Sequence, residues 1–359
     1  MADAAPDVDF TLRRAIGPDG EVVGPLPDVA SDREAVTALY RAMVLTRSFD
    51  EKAIALQRTG RLGTYASSLG QEAVSVGVAA AMAAEDVLLP SFREHGAQLQ
   101  RGATPVELFQ FWGGDERGND FKGPRGDFPV CIPVSSQLPH AAGVALAMRL
   151  DGGGRAAVAV CGDGGASKGD FYEAINLAGV WELPLVTVIC NNRWAISTPL
   201  ARQTAAGTLA HKALAAGIDA RRVDGNDVLA VRAVAAECLE RARADSRPAL
   251  IEAVTYRLGD HTTVDDATRY RDEAEVKEHW PQEPIARLRA YLVAQDWWAK
   301  EDETRLLKES AEEIAAASET YLALDPEPPT AMFDHLYETL PPALAAQRAA
   351  LAGGTGGDG

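Results

Sequence analysis

Hydrophobic positions along the chain alternate between two kinds of segment. Short apolar runs with a turn after them occur at residues 87–90, 156–161, 185–190 and 248–256. Longer stretches carry apolar residues at helical spacing, among them 33–59 with Leu39, Met43, Phe49 and Ala53, 141–150, 171–183 and 228–244. Uninterrupted apolar runs of four to eight residues are how buried parallel strands read, and alternation of such runs with helical patterns predicts an α/β fold with a mostly parallel sheet and helices on both faces. Asp32 or Ser31 is placed to cap the first long helix and Gly60 to stop it. Residues 1–30 read as an extended arm with a turn at residues 17–20. Residues 31–345 read as the main domain, with a helical stretch over 280–340, and 346–359 as a Gly-rich disordered tail.

Residues 156–197 form the unit around which the rest is organised. A strand ends at Gly162-Asp163-Gly164-Gly165, a helix carrying Phe171, Ile175, Ala178 and Val180 follows until Pro184, and a second strand ends at Asn191-Asn192. In one βαβ unit both strand-end loops lie on the same sheet edge, where open α/β sheets bind ligands. Asp163 offers a carboxylate and Asn192 an amide oxygen, hard ligands suited to magnesium or calcium. Gly162, Gly164 and Gly165 allow a phosphate close to the backbone, and the following helix start favours negative charge. A diphosphate held through a divalent cation is the reading these residues support.

Competing phosphate motifs fit less well. A dinucleotide G-x-G-x-x-G fails because Ser167 stands at the third glycine position. A P-loop fails because Asp170 follows Gly169 where Lys is required. An ordinary β-turn with an Asp helix cap stays open for an isolated Gly-Asp-Gly.

Charge and cysteine usage narrow the classes. The 359 residues hold 35 Lys and Arg against 52 Asp and Glu, a formal charge of −17 that argues against nucleic acid or an anionic membrane as partner. The first nine residues lack the pattern of a signal or transit peptide, and no apolar run is long enough to span a bilayer. Cys131, Cys161, Cys190 and Cys238 match no metal spacing and read as free thiols of a reducing, cytoplasmic compartment. His211, His279 and His335 read as surface residues, and Glu72 as a helix-start residue with a capping role.

Gly-Asp-Gly, a helix, a strand and Asn-Asn together resemble the thiamine diphosphate signature. The likeness extends to residues 60–73 (GRLGTYASSLGQEA), 88–96 (LLPSFREHG), 135–147 (SSQLPHAAGVALA) and 257–271 (RLGDHTTVDDATRYR), so nearly the whole chain resembles the alpha subunit of the decarboxylating first component of 2-oxo acid dehydrogenase complexes, closest to the bacterial pyruvate dehydrogenase type. The resemblance implies a thiamine diphosphate-binding fold with Mg2+ on Asp163, Asn192 and the Trp194 carbonyl. It implies cofactor contacts from Phe92, Arg93, Ile132, Val134 and His261 besides the glycines. The family usually has Tyr where Phe92 stands, which removes a hydroxyl contact.

His261 is the candidate catalytic group, a histidine expected to titrate near neutrality and to donate to an oxyanion or shuttle a proton. The resemblance also implies a beta subunit that supplies the acid for the pyrimidine ring, an alpha2-beta2 heterotetramer, and a lipoyl-bearing acyltransferase as acyl acceptor. No lipoyl or core domain is recognisable in this sequence. The implied activity is oxidative decarboxylation of pyruvate. Branched-chain 2-oxo acid or acetoin dehydrogenase and a non-catalytic assembly subunit are the alternatives. Thr262 stands where animal relatives carry a regulatory phosphoserine, but nothing in the sequence points to a kinase.

Overall fold

The computed structural model describes residues 5–123 and 125–353. In chain order the principal elements are β1 (Val8–Arg13), α1 (Arg33–Arg58), α2 (Glu72–Ala79), β2 (Val87–Leu89), α3 (His95–Gln100), α4 (Pro105–Trp112), α5 (Gln137–Asp151), β3 (Ala157–Gly162), α6 (Gly169–Val180) and β4 (Leu185–Asn191). They continue with β5 (Trp194–Ala195), β6 (Thr198–Pro199), α7 (Lys212–Ala216), β7 (Asp219–Asp224), α8 (Val228–Asp245), β8 (Ala249–Val254), α9 (Glu273–His279), α10 (Pro284–Ala294), α11 (Lys300–Leu322) and α12 (Pro342–Gly353).

Six strands form one sheet in the order β1-β7-β8-β4-β3-β2, and every pairing in it is parallel. All six carboxyl ends therefore open on one edge. Successive strand residues point to opposite faces, and the core divides accordingly. Val158, Val160, Val186 and Val188 pack with α1, α2, α8 and α10. Ala157, Ala159, Leu185 and Ile189 pack with α5, α6 and α7 on the other face. Burial on both faces is why these strands read as continuous apolar runs rather than as alternating ones. A third cluster, with Phe49, Tyr65, Phe109, Trp112 and Ile314, joins α1, α4 and α11 beside the open edge.

Several expectations are corrected. Within the N-terminal arm, β1 pairs with β7 as an edge strand of the sheet. Helix α5 starts a turn earlier than expected, at Gln137. Helix α6 ends at Val180, which is exposed instead of facing the core. The helical stretch over 280–340 is broken between α11 and α12, where Pro326, Pro328 and Pro329 cannot continue a helix. The tail expected to be disordered from 346 is helical through 353, because Pro342 starts α12 at its first position and the Ala- and Leu-rich run behind it favours helix. Residues 354–359 lie outside the described residues. Two histidines read as surface residues are engaged in stacking, His211 on Phe10 at 4.0 Å and His279 on Tyr256 at 3.9 Å.

Glu72 is no helix cap. It is fully buried, pairs with Arg47 at 2.5 Å and accepts from the Gly70 amide at 3.0 Å.

Candidate active site

The carboxyl edge of the sheet carries a cavity of about 780 Å³, within the size range of small-molecule and cofactor sites. Strand-end loops after β2, β3, β4 and β8 build its floor, and the segment before α5 and the end of α4 add apolar walls. Phe92, Arg93, Ile132, Val134, Gly162, Asp163, Gly164, Gly165, Asn192, Trp194 and His261 all line it. Residues separated by up to 169 positions in sequence are thus brought to one wall-bounded space.

Asp163 follows the last residue of β3, and Asn192 follows the last residue of β4. Gly162 pairs with Cys190 across these neighbouring strands, so both side chains stand at adjacent strand tips. Both are buried. Asp163 Oδ2 accepts from Gln203 Nε2 at 2.6 Å. Burial raises the Asp163 pKa, and the Gln203 hydrogen bond and the Arg257 charge oppose that rise. Asn192 Nδ2 donates to Gln71 Oε1 at 3.0 Å, and its Oδ1 accepts the Trp194 amide at 3.2 Å. The Trp194 carbonyl accepts from Arg257 Nη1 at 3.2 Å, and its indole Nε1 donates to Glu275 at 3.2 Å. That leaves one carbonyl lone pair for another partner.

The glycine turn is close-packed on one side and open on the other. A Cβ on Gly164 would lie 2.5 Å from the Ala195 Cβ in the β5–β6 hairpin, whereas a Cβ on Gly162 would meet nothing within 4 Å. The open side at Gly162 faces a cavity it lines.

Arg93 is held from three directions. Its Nη1 donates to the Ser67 carbonyl at 2.6 Å, and its Nη2 donates to the His261 carbonyl at 2.6 Å and contacts His261 Nδ1 at 2.9 Å. The Ser67 loop is itself fixed by buried Asp50, which accepts from Tyr65 Oη, Ser67 Oγ and the Ser68 amide. Burial lowers the Arg93 pKa to about 10, which leaves the guanidinium charged at neutral pH.

A guanidinium only donates, so His261 Nδ1 must accept, and the ring proton sits on Nε2. Burial and then the charges of Arg93 and Arg257 lower the His261 pKa to about 4. The expected near-neutral histidine is corrected to a neutral imidazole that donates from Nε2. Phe92 stands edge-on to His261 with centroids 6.0 Å apart.

Four further lining residues were missed by sequence reasoning as site residues. Glu94 is a buried carboxyl beside Arg93 with its pKa pushed up to about 7 by burial. Gln71 and Glu94 fall inside the motif segments, but nothing in their spacing marks them. Phe111 and Trp112 enter the wall from α4. Gln203, which holds Asp163, and Arg257, which holds Trp194, come from loops whose approach only the tertiary fold creates.

A parallel sheet with a cavity of about 780 Å³ at its carboxyl edge defines the chain as an α/β protein with a ligand-sized site where such sheets bind ligands. Residues 40–327 match the family described as dehydrogenase E1 component. The chain is 40% identical over 347 residues to the 3-methyl-2-oxobutanoate dehydrogenase subunit alpha of Mycobacterium tuberculosis (strain CDC 1551 / Oshkosh), covering 95% of this chain and 93% of the relative. It is 40% identical over 332 residues to the pyruvate dehydrogenase E1 component subunit alpha of Bacillus subtilis (strain 168), covering 91% and 89%. It is 37% identical over 334 residues to the protein of that same name from Acholeplasma laidlawii, covering 92% and 96%. The chain belongs to the dehydrogenase E1 component family, as an alpha subunit of a 2-oxo acid dehydrogenase.

Proposed function

We propose that the cavity binds thiamine diphosphate through Mg2+, that a beta subunit completes the site in an alpha2-beta2 assembly, and that the assembly decarboxylates pyruvate and passes the acyl group to a lipoyl-bearing acyltransferase. The observation that carries this is the convergence of Asp163, Asn192, Arg93 and His261 on one cavity at adjacent strand ends. The donor set fits the group. Among the described residues no three His, Cys, Asp or Glu side chains cluster to hold a metal. A cation here would therefore draw on one carboxylate, an amide and a backbone oxygen plus phosphate, the arrangement magnesium favours with phosphate ligands.

In this reading Asp163, the Asn192 Oδ1 and the Trp194 carbonyl hold the ion. The Gly162–Gly165 backbone and Arg93 take the diphosphate oxygens, and charge-assisted bonds from Arg93 orient them. Backbone groups at Ile132 and Val134 would meet the pyrimidine ring, and Phe92 would pack against the cofactor. Bound there, the cofactor supplies a carbon nucleophile for the 2-oxo carbon and an electron sink for decarboxylation. His261 keeps a donor proton at Nε2 toward developing negative charge, and the apolar walls exclude water from it. The acid that activates the pyrimidine is assigned to the beta subunit. The bacterial relatives support a cytoplasmic location.

A branched-chain 2-oxo acid as substrate is the second reading. It is favoured by the apolar wall of Phe92, Phe111, Trp112, Ile132 and Val134 and by the name of the M. tuberculosis relative. Turnover by the reconstituted alpha-beta pair on pyruvate, 3-methyl-2-oxobutanoate and acetoin separates the readings. Higher kcat/KM on pyruvate supports the first. Preference for the branched acid or acetoin replaces it, and no turnover on any substrate, with thiamine diphosphate bound, points to an assembly subunit.

A further inference from the structure

Gln71 stands at the N-cap of α2 and does not cap it. Its side chain reaches the end of β4 instead. There Oε1 accepts from Asn192 Nδ2 at 3.0 Å and from Cys190 Sγ at 3.2 Å. Its own Nε2 is buried without a partner. An amide in this state has spent its acceptor twice and left its donors unpaired, although turning it over would reverse the imbalance. What sets the orientation is Asn192, whose Oδ1 accepts the Trp194 backbone amide at 3.2 Å and whose NH2 therefore faces Gln71. If Gln71 turned over, its NH2 would face the NH2 of Asn192.

The same chain of donors decides which way Asn192 points. A primary amide can present either end to a site, and the hydrogen-bond network selects between them. With its NH2 committed to Gln71, Asn192 turns Oδ1 away, toward the Trp194 amide at 3.2 Å and the cavity it lines. A cation requires the oxygen, since an NH2 has no lone pair to offer.

We propose that Gln71 is a positioning residue that, together with the Trp194 amide, fixes the amide of Asn192 with its oxygen toward a divalent cation. This rests on the reading of Asp163 and Asn192 as metal ligands. Partners that orient a ligand in this way typically contribute about 10- to 100-fold to metal affinity.

The test is Mn2+ binding to the alpha-beta assembly in the presence of thiamine diphosphate, followed by loss of the free-ion electron paramagnetic resonance signal. Gln71→Met keeps the side-chain length and removes the acceptor; it is expected to weaken Mn2+ binding by about 10-fold or more. Gln71→Glu keeps an acceptor for both donors and is expected to restore binding to the wild-type range, which a role in packing alone would not produce. Gln71→Asn draws the acceptor back from Asn192 without adding charge and is expected to weaken binding in the same direction; it decides the matter if Gln71→Met folds poorly. Wild-type affinity in a folded Gln71→Met or in Gln71→Asn, together with lost binding in Asp163→Asn, overturns the role of Gln71 alone. No thiamine diphosphate-dependent Mn2+ binding by the wild type overturns the metal site and this proposal with it.

Discussion

Glu94 offers a quantitative test of the electrostatics of the cavity. Its carboxyl is buried beside Arg93, forms no salt bridge among the described residues, and has its pKa raised from 4.5 to about 7, burial being the largest cause. A carboxyl with a raised folded pKa stabilises the fold only while protonated. Its contribution is intact below the unfolded value and is lost as pH rises through the folded one. At about 1.4 kcal/mol for each tenfold change in proton affinity, the rise is worth about 3 kcal/mol, of which about 2 kcal/mol falls between pH 5.5 and 8.5.

Glu94→Gln removes the ionisation and keeps the shape. Urea unfolding of the cofactor-free chain at several pH values measures the difference directly. The variant is expected to gain on the wild type from pH 5.5 to about 7 and then to hold level, by about 2 kcal/mol in all. Parallel stability profiles for the two proteins would refute the assignment of a buried, poorly compensated carboxyl to this position.

Further predictions rest on other contacts. His261, held neutral by burial and by Arg93 and Arg257, is expected to show no titration of its ring proton resonances between pH 8 and about pH 5. Its effect on stability is present above pH 6.5 and is lost as pH falls toward 4, and a midpoint near 6.5 by NMR would contradict the geometry. Arg47→Met strips buried Glu72 of its partner and is expected to destabilise the chain by about 3–5 kcal/mol in denaturant unfolding; a loss under 1 kcal/mol would mean that Glu72 is otherwise compensated. Gly164→Ala drives a methyl group into Ala195, 2.5 Å away. It is expected to shift the β5–β6 hairpin, lower stability by about 1–3 kcal/mol and weaken cofactor affinity in calorimetry. Unchanged affinity would show that the hairpin can yield.

The elements nearest the site were the most legible in the sequence. Strands β3 and β4 are buried on both faces, so their apolar runs leave little ambiguity, and Asp163 and Asn192 follow directly at their tips. The motif segments also located Arg93 and His261. What those two do to each other was not legible, because the contact that fixes the imidazole tautomer spans 168 positions. The same holds for Gln71 with Asn192, 121 positions apart, and for Gln203 with Asp163, 40 apart. Local pattern cannot reveal which loops a parallel sheet gathers at one edge. Composition misled at the C-terminus, where the glycines beyond 353 obscured the Ala- and Leu-rich helix α12 before them.

Asp163 and Asn192 are proposed to hold a cation that in turn holds the diphosphate. Isothermal titration of thiamine diphosphate into the alpha-beta assembly, with Mg2+ and with chelator, tests it most directly. Saturable binding is expected with Mg2+, at least 10-fold weaker binding when the ion is removed, and a comparable loss in Asp163→Asn even with Mg2+ present. Equal affinity with and without the divalent ion, or full affinity in Asp163→Asn, would contradict the account.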